Sequence, residues 1–184
     1  MPNSIKSKKG SIVVLVLLLS SFIISAATVL LSTTVMNTKM KSINKRSKRA
    51  YYAAESVLDE AYAITLDFID LALEYARNSD NPKMAYLDFL YGNCYDKEDN
   101  EGLTTILEDK SKYFICNMDN ISIKAEILNK LNYLQLNIMS CCTDGKIKRE
   151  IVLACHISVP EDEDFYRTIS SEDLIYTYDW KLER

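Results

Sequence analysis

The feature that most constrains this chain is a long stretch without charge, residues 11–38, which reads SIVVLVLLLSSFIISAATVLLSTTVMNT. As an α-helix it would be about 42 Å long, more than the roughly 30 Å of a bilayer's hydrocarbon core. A basic leader containing Lys6, Lys8 and Lys9 lies directly before it. We therefore predict a transmembrane helix that anchors the chain through its N-terminal region.

A cleavable secretory signal is the alternative interpretation of this stretch. Ser25, Ala26 and Ala27 supply the small residues that signal cleavage needs. The apolar run continues beyond them to Val35, however, and is longer than a typical signal core. A retained anchor is favoured, and a secreted enzyme has no catalytic set in the sequence to support it.

Charge is divided sharply along the chain. Nine of its 22 Lys and Arg residues precede Ala50, and all 26 Asp and Glu residues follow it. The part beyond the basic cluster is therefore acidic, which disfavours contact with the phosphates of nucleic acid. We predict no nucleic-acid partner.

A second helical pattern follows the apolar stretch. The sequence from Met40 to Tyr75 contains no Gly or Pro, and its apolar residues recur at steps of three and four, which places them in one stripe. The stripe comprises Ala50, Ala54, Val57, Ala61, Ile64, Phe68, Leu71, Ala72 and Tyr75. Turn-forming residues and a proline at Asn78–Pro82 predict the end of the helix there.

Three later segments alternate apolar and polar residues, as strands with one buried face do. They are Ile121–Leu128, Leu134–Ile138 and Ile151–Ile157. With Asp144 and Gly145 as a tight turn, Ile138 would face Ile151. A turn at residues 130–131 would likewise set Ile127 opposite Leu134.

Three strands would then share one apolar face, which the amphipathic stripe is placed to cover. The segment Ile175–Trp180 alternates weakly and is a candidate edge strand, a packing tail or a contact surface. We predict an α+β fold in which a long N-terminal helix, transmembrane in its first half, packs on a small antiparallel sheet of three or four strands.

These patterns divide the chain into six parts. They are a leader (1–10), a transmembrane helix (11–38), its amphipathic continuation (39–79), an irregular or helical connector (80–120), an antiparallel sheet (121–159) and an acidic, aromatic C-terminal tail (160–184). In the connector, Met84–Tyr91 and Leu103–Leu107 are candidate short helices on either side of a polar loop.

Candidate catalytic and metal-binding residues are few. His156 is the only histidine and would point away from the apolar face. The acidic run 161–164 lacks the spaced ligands and glycine of a calcium loop. Neither a phosphate-binding loop nor a nucleophile elbow is found in the sequence, so we predict a non-enzymatic protein without cofactor or metal.

The five cysteines match no zinc template. Cys141 and Cys142 are adjacent and would face opposite sides of one strand, and Cys155 would lie opposite Leu134, so we favour buried thiols for these three. Cys94 and Cys116 are a candidate disulfide.

The order of features near the N-terminus is distinctive. A basic leader ends in Gly10, the apolar helix begins at once, and a Lys/Arg cluster leads into AYYAAES at residues 50–56. Residues 8–62 resemble the N-terminal region of type IV pilins and pseudopilins. Within that superfamily they are most similar to PilX-type minor pilins, whose signature has a comparable alanine, aromatic and glutamate pattern.

The resemblance implies a processing and assembly route. Prepilin peptidase would cut after Gly10, leaving Ser11 as the new and N-methylated terminus, and the helix would move from the bilayer into the core of a filament. Subunit packing would involve Leu15, Ala50, Tyr51, Ala54 and Glu55, although Glu55 can equally be interpreted as a surface carboxylate. The implied partners are other major and minor pilins, the assembly platform, prepilin peptidase and membrane lipid.

Leu15 departs from the common pattern of the family. Most pilins have glutamate as the fifth residue after cleavage, where it pairs with the terminal ammonium of a neighbouring subunit. Tip-class minor subunits of related systems lack this glutamate. Leu15 therefore favours a minor subunit that initiates the filament or lies at its tip, and a pilin-like protein that never enters a filament is the alternative. The resemblance implies a C-terminal domain outside the cell.

The distribution of basic residues favours a different topology. Six bases follow the apolar stretch between residues 39 and 49, whereas three precede it. The positive-inside rule applied to this count places the C-terminal domain in the cytoplasm. A single-pass protein with a cytoplasmic α+β binding domain is therefore the alternative prediction.

Overall fold

A computed structural model describes residues 5–93, 101–109, 114, 120–130 and 133–183. The helices are α1 (Ile5–Arg77), α2 (Pro82–Tyr91), α3 (Leu103–Glu108) and α4 (Ser171–Leu174), with a short 3-10 turn at Asp164–Tyr166. The strands are β1 (Ile121–Asn129), β2 (Tyr133–Asp144), β3 (Ile147–Ser158) and β4 (Ile175–Glu183). The predicted α+β fold is confirmed.

The chain divides into two compact units, Met1–Lys45 and Arg46–Arg184, and α1 contributes to both. The second unit contains the sheet, which is antiparallel throughout with the strand order β1-β2-β3-β4. The candidate edge strand in the C-terminal segment is thus confirmed as β4. α1 ends at Arg77, just before the predicted stop at Asn78–Pro82.

The core of the second unit lies between α1 and one face of the sheet. Side chains of α1 from Ala50 to Ala76 form one buried cluster with the inward-facing residues of the strands, as predicted for the stripe and the sheet. The inward residues of the two central strands are Leu134, Leu136, Ile138, Ser140, Cys142, Ile151, Leu153, Cys155 and Ile157. Thr65 is a buried polar residue of α1, and its hydroxyl donates to the Ala61 carbonyl at 2.8 Å.

One member of the predicted stripe is wrong. Leu71 is 54% exposed, whereas Ile69, Leu73 and Ala76 are buried although the stripe left them out. The prediction continued the steps of three and four through residue 71, whereas the buried side of the helix contains residues 69, 72, 73 and 76. Steps of three and four allow both paths in a sequence rich in apolar residues.

The predicted register is wrong by two residues in both hairpins. Ile138 lies opposite Leu153 rather than Ile151, and Ile127 lies opposite Leu136 rather than Leu134. The faces are nevertheless correct, because a shift of two residues returns every side chain to the same side of a strand.

Turn geometry explains the shift. Asp144 pairs with Ile147, so Gly145 and Lys146 form the turn between β2 and β3. Gly145 has φ +66°, which meets the requirement of both primed hairpin turns for a positive φ at the first central position. The other hairpin also closes one residue later than predicted, since the Lys130 N–H donates to the Tyr133 carbonyl at 3.0 Å.

Two short helices confirm the candidates in the connector. α2 begins at Pro82, and the Asn81 side chain caps it by accepting from the Met84 N–H at 3.3 Å. α3 packs along β1, and Glu108 at its end accepts the Ala125 N–H at 3.1 Å. Because β1 is an edge strand, this bond covers part of the edge.

Candidate assembly surfaces of the N-terminal helix

The predicted cleavage point lies within α1. Gly10 and Ser11 are both exposed, and a Cβ built on Gly10 would meet no atom within 4 Å. A side chain at position 10 therefore disturbs no packing. Cleavage after Gly10 and methylation of Ser11 remain predictions.

The apolar stretch of α1 buries none of its large side chains. Between Ile12 and Ile43 their exposed fractions run from 46% at Val35 to 73% at Phe22. By length and composition, this is one helix near the N-terminus able to cross a membrane. The transmembrane helix is thus supported by an apolar surface that the described chain leaves uncovered.

Seven of the nine hydroxyl groups in residues 11–38 are bonded to the backbone of the helix itself. The side chains donate to carbonyls three or four residues earlier, at 2.6 to 3.3 Å. The donors are Ser20, Ser21, Ser25, Thr28, Thr33, Thr34 and Thr38. Such bonds lower the cost of placing a hydroxyl in hydrocarbon, where no water can replace the partner.

The five residues predicted to pack between subunits fall into two groups. Leu15 is 58% exposed, and Tyr51 and Glu55 keep part of their surface accessible. Ala50 and Ala54 are fully buried in the core of their own chain. The first three therefore offer surface to a neighbour, and the prediction of subunit packing depends on them.

Tyr51 and Glu55 are brought together one helical turn apart. The Tyr51 hydroxyl donates to Glu55 Oε1 at 3.5 Å, and the Tyr51 ring meets that of Tyr52 edge-on at a centroid distance of 5.6 Å. Partial burial raises the pKa of Tyr51 above its ordinary value, and the nearby Glu55 carboxylate adds to the rise. The phenol thus stays a neutral donor at physiological pH.

His156 lies on the outer face of the sheet, as predicted. Its ring is half-buried between those of Tyr133 and Tyr178, with centroid distances of 4.1 Å to each. This arrangement holds the imidazole by stacking. A structural role fits this geometry.

Three cysteines lie in the two central strands of the sheet. Cys142 and Cys155 are buried, as predicted, whereas Cys141 is only half-buried. Burial raises the pKa of the Cys155 thiol to about 12, which keeps it protonated and unreactive. Cys94 and Cys116, the candidate disulfide, lie outside the described residues.

The acidic run 161–164 anchors α2 and its own loop. Glu161 forms an ion pair with Lys83 Nζ at 2.8 Å, and Asp162 Oδ1 accepts the Lys83 N–H at 3.1 Å. Asp164 pairs with Arg167 at 2.9 Å. No group of three His, Cys, Asp or Glu side chains suited to a metal ion is found among the residues that the structure describes.

Two residues of α1 that the sequence analysis did not single out fix the C-terminal segment. Arg77 donates to the carbonyls of Phe165, Arg167 and Ile169 at 3.0, 3.4 and 3.2 Å. Asp70 accepts both the N–H and the hydroxyl of Ser171 at 2.9 Å. Polar residues at exposed helix positions carry no sequence signal that could have identified these contacts.

An open groove of about 530 Å³ lies over the outer face of the sheet. Met139, Val152 and Ala154 contribute apolar surface to it, and Gln135 and Asn137 contribute amides that are bonded to each other at 3.1 Å. The lining contains none of the predicted site residues.

Comparison with known proteins found no matching family model, no matching curated protein and no matching solved structure. The architecture itself, a long apolar N-terminal helix packed on an antiparallel sheet, is pilin-like.

Proposed function

We propose that this chain is a non-enzymatic, PilX-type minor pilin-like subunit of a type IV pilus or a related secretion or competence filament. The observation that carries the proposal is the contrast within α1, whose first part exposes uncharged and largely apolar surface while one side of its later part is buried against the sheet. A helix of this kind needs an apolar environment that the described chain does not supply.

Two environments satisfy that need in turn. Before assembly, residues 11–38 lie in the membrane. After prepilin peptidase cuts between Gly10 and Ser11, the same helix packs among like helices in a filament, where close side-chain contact replaces lipid. Burying a single Leu- or Ile-sized side chain stabilises a protein by about 1.5–3 kcal/mol. Because this helix exposes many such side chains, it is not stable in water without an apolar environment.

Leu15 defines the position proposed within the filament. A glutamate here would be a buried charge that needs the terminal ammonium of an adjacent subunit as its partner. A leucine makes no such demand. We therefore place the subunit at the tip or at initiation, in contact with other minor and major pilins, with the assembly platform below.

The basic cluster between residues 39 and 49 supports a second candidate. It outnumbers the three bases of the leader and favours a cytoplasmic C-terminal domain. In that case the protein would be a single-pass anchored binding domain, and its N-terminus would remain uncut.

Leader cleavage separates the two candidates. Intact mass and N-terminal sequencing would be measured on membrane-extracted protein from cells with and without active prepilin peptidase. A peptidase-dependent start at Ser11 with a methylated amine is the expected result. An unchanged leader in both strains would reject the pilin proposal, and a start near Ala27 would indicate secretion.

A Gly10→Val variant provides the matched control. The substitution replaces the glycine at the cleavage point and is expected to block cleavage. A Cβ at Gly10 meets no atom, so we expect the fold to be undisturbed. We expect it to leave the chain uncut in peptidase-positive cells and to remove it from sheared filaments. If Gly10→Val entered filaments as well as the unchanged chain, assembly would not depend on this cleavage.

A further inference from the structure

A basic stripe follows the apolar stretch on one side of α1. We define it as Lys41, Lys45, Lys48 and Arg49, whose spacings of four, three and one residues place them within about 100° of the helix circumference. All four are exposed. No ion pair between any of them and a carboxylate is found in the described part of the chain.

The opposite side of this part of α1 is occupied. Ser47 Oγ accepts from Arg149 at 2.7 Å, and Ala50 is buried. Lys48 and Arg49 therefore lie on the side of the helix that faces away from the sheet.

A tyrosine follows the basic stripe on the same side of α1, and acidic residues follow the tyrosine. Tyr52 follows Lys48 and Arg49 on the same side and is 62% exposed. Beyond it, the exposed side of α1 carries acids, including Asp59 and Asp67. Lysine and arginine next to an uncharged apolar span, followed by an exposed tyrosine, are the side chains that anchor helices at a membrane surface.

We propose that the basic stripe binds the phosphate groups of anionic phospholipids at the membrane surface. The inference rests on one part of the proposed function, the insertion of residues 11–38 in a membrane, and is independent of leader cleavage and filament assembly. Anionic headgroups attract such bases within roughly one Debye length, about 8–10 Å.

Helix length makes the contact feasible. The uncharged stretch is about 42 Å long and the hydrocarbon core about 30 Å thick, so the helix accommodates the excess by tilting. A tilted helix presents one side to the membrane surface, which agrees with four of the six bases lying on one side; Lys39 and Arg46 lie outside this arc. Lys41 to Arg49 covers about 12 Å along the axis, and tilting lowers their height above the headgroups further.

A second copy of the chain fits the stripe less well. Two copies anchored in one membrane by the same residues lie parallel and in register, so each basic stripe would face another. Like charges at such distances repel. Lipid phosphate is therefore the occupant that the charges and the anchor favour together.

The test counts lipids retained by the full chain. The protein would be reconstituted in bilayer discs with equal amounts of phosphatidylglycerol and phosphatidylcholine, and its bound lipids identified by native mass spectrometry. We expect phosphatidylglycerol to be enriched about fivefold, the effect of roughly one well-placed base, and the enrichment to fall as salt is raised.

Two matched triple variants locate the effect. Lys45→Gln, Lys48→Gln and Arg49→Gln should bring the lipid ratio close to one. Lys124→Gln, Lys130→Gln and Lys146→Gln remove the same charge from exposed positions of the second unit and should leave the enrichment unchanged. Circular dichroism of both variants would verify that the fold is retained.

Three outcomes would overturn the inference. One is no enrichment by the unchanged chain at low salt, and another is an equal loss in both triple variants. The third is stripe-dependent self-association in discs of phosphatidylcholine without lipid preference, which would assign the stripe to a second copy. A failure of leader cleavage would leave this test unaffected.

Discussion

The two parts of α1 have similar apolar content but opposite surroundings. Leu17, in the uncharged stretch, is 63% exposed, whereas Leu58, in the amphipathic part, is fully buried against the sheet. The same secondary structure therefore has two sources of stability. The later part is stabilised by its own domain, and the earlier part depends on a membrane or on other helices.

This contrast shows what distinguishes an uncovered apolar surface from a core. Both are rich in Leu, Ile, Val and Ala, but the core is one stripe of a helix with charged residues elsewhere, and the earlier stretch has large apolar side chains on every side and no charge. A helix that is apolar on every side requires neighbours on every side. Lipid meets that requirement, and so does a bundle of helices.

The largest expected effect tests the contrast directly. Leu58→Ala should lower the free energy of unfolding of the second unit by about 2–5 kcal/mol, because it leaves a cavity beneath the sheet. Leu17→Ala removes the same atoms from an exposed site and should change it by less than about 0.5 kcal/mol. Urea unfolding in detergent, followed by near-ultraviolet circular dichroism, measures both. Equal effects would contradict the division of α1.

Arg77→Ala should lower the free energy of unfolding of the second unit by about 1.5–3 kcal/mol. The guanidinium donates to three carbonyls of the segment 165–169, and their loss frees the connection to β4. Arg77→Lys keeps the charge but not the fork of donors, so it should recover only part of the stability. Hydrogen exchange of residues 165–174 would localise the change; unchanged protection there would argue against the role assigned to Arg77.

Two glycines allow a matched comparison between the regions. A Cβ at Gly102 would lie 2.7 Å from the Tyr91 carbonyl oxygen, whereas one at Gly10 would meet nothing within 4 Å. Gly102→Ala should therefore destabilise the second unit by about 1–3 kcal/mol through a backbone shift, and Gly10→Ala should not. The midpoints of thermal unfolding of the two variants would be compared. Equal midpoints would show that the close approach of Gly102 to the Tyr91 carbonyl does not make an added side chain destabilising.

Alkaline pH should lower the free energy of unfolding of the second unit. Desolvation raises the pKa of Cys155 to about 12 and also raises that of the buried Tyr86, whose shift the Asp70 charge increases. The thiol of an unfolded chain has an ordinary pKa near 9.0, so from there upward the unfolded chain binds fewer protons than the folded one. Stability is thus full below pH 9 and falls as pH rises toward 12.

Unfolding free energies measured at several pH values between 9 and 12 would give the slope of stability against pH. Cys155→Ala should reduce this slope, because it removes the buried thiol. A slope identical to that of the unchanged chain would remove Cys155 as a source of the alkaline loss.

The smallest effect is expected at the surface. Lys83→Ala removes the ion pair with Glu161, whose side chain is 74% exposed, and should cost no more than about 1 kcal/mol at low salt. The effect should shrink in high salt. A loss several times larger would mean that the acidic run does more than anchor α2.

Local patterns explain most of what could be predicted. The period of the stripe gave α1 its buried side, and the alternation gave each strand its inward face. The register failed because it depends on which of two adjacent residues, Asp144 or Gly145, takes the first turn position. Contacts of Arg77 and Asp70 could not be predicted, because their partners lie 88 to 101 residues away along the chain.

The sequence by itself determined the uncharged span, its leader, the divided charge and the α+β pattern, since these are properties of neighbouring residues. Only the tertiary structure decided which apolar residues a single chain can cover. It buried Ala50 and Ala54 and left Leu15 exposed, because the sheet of the second unit supplies one apolar face and packs against one side of α1.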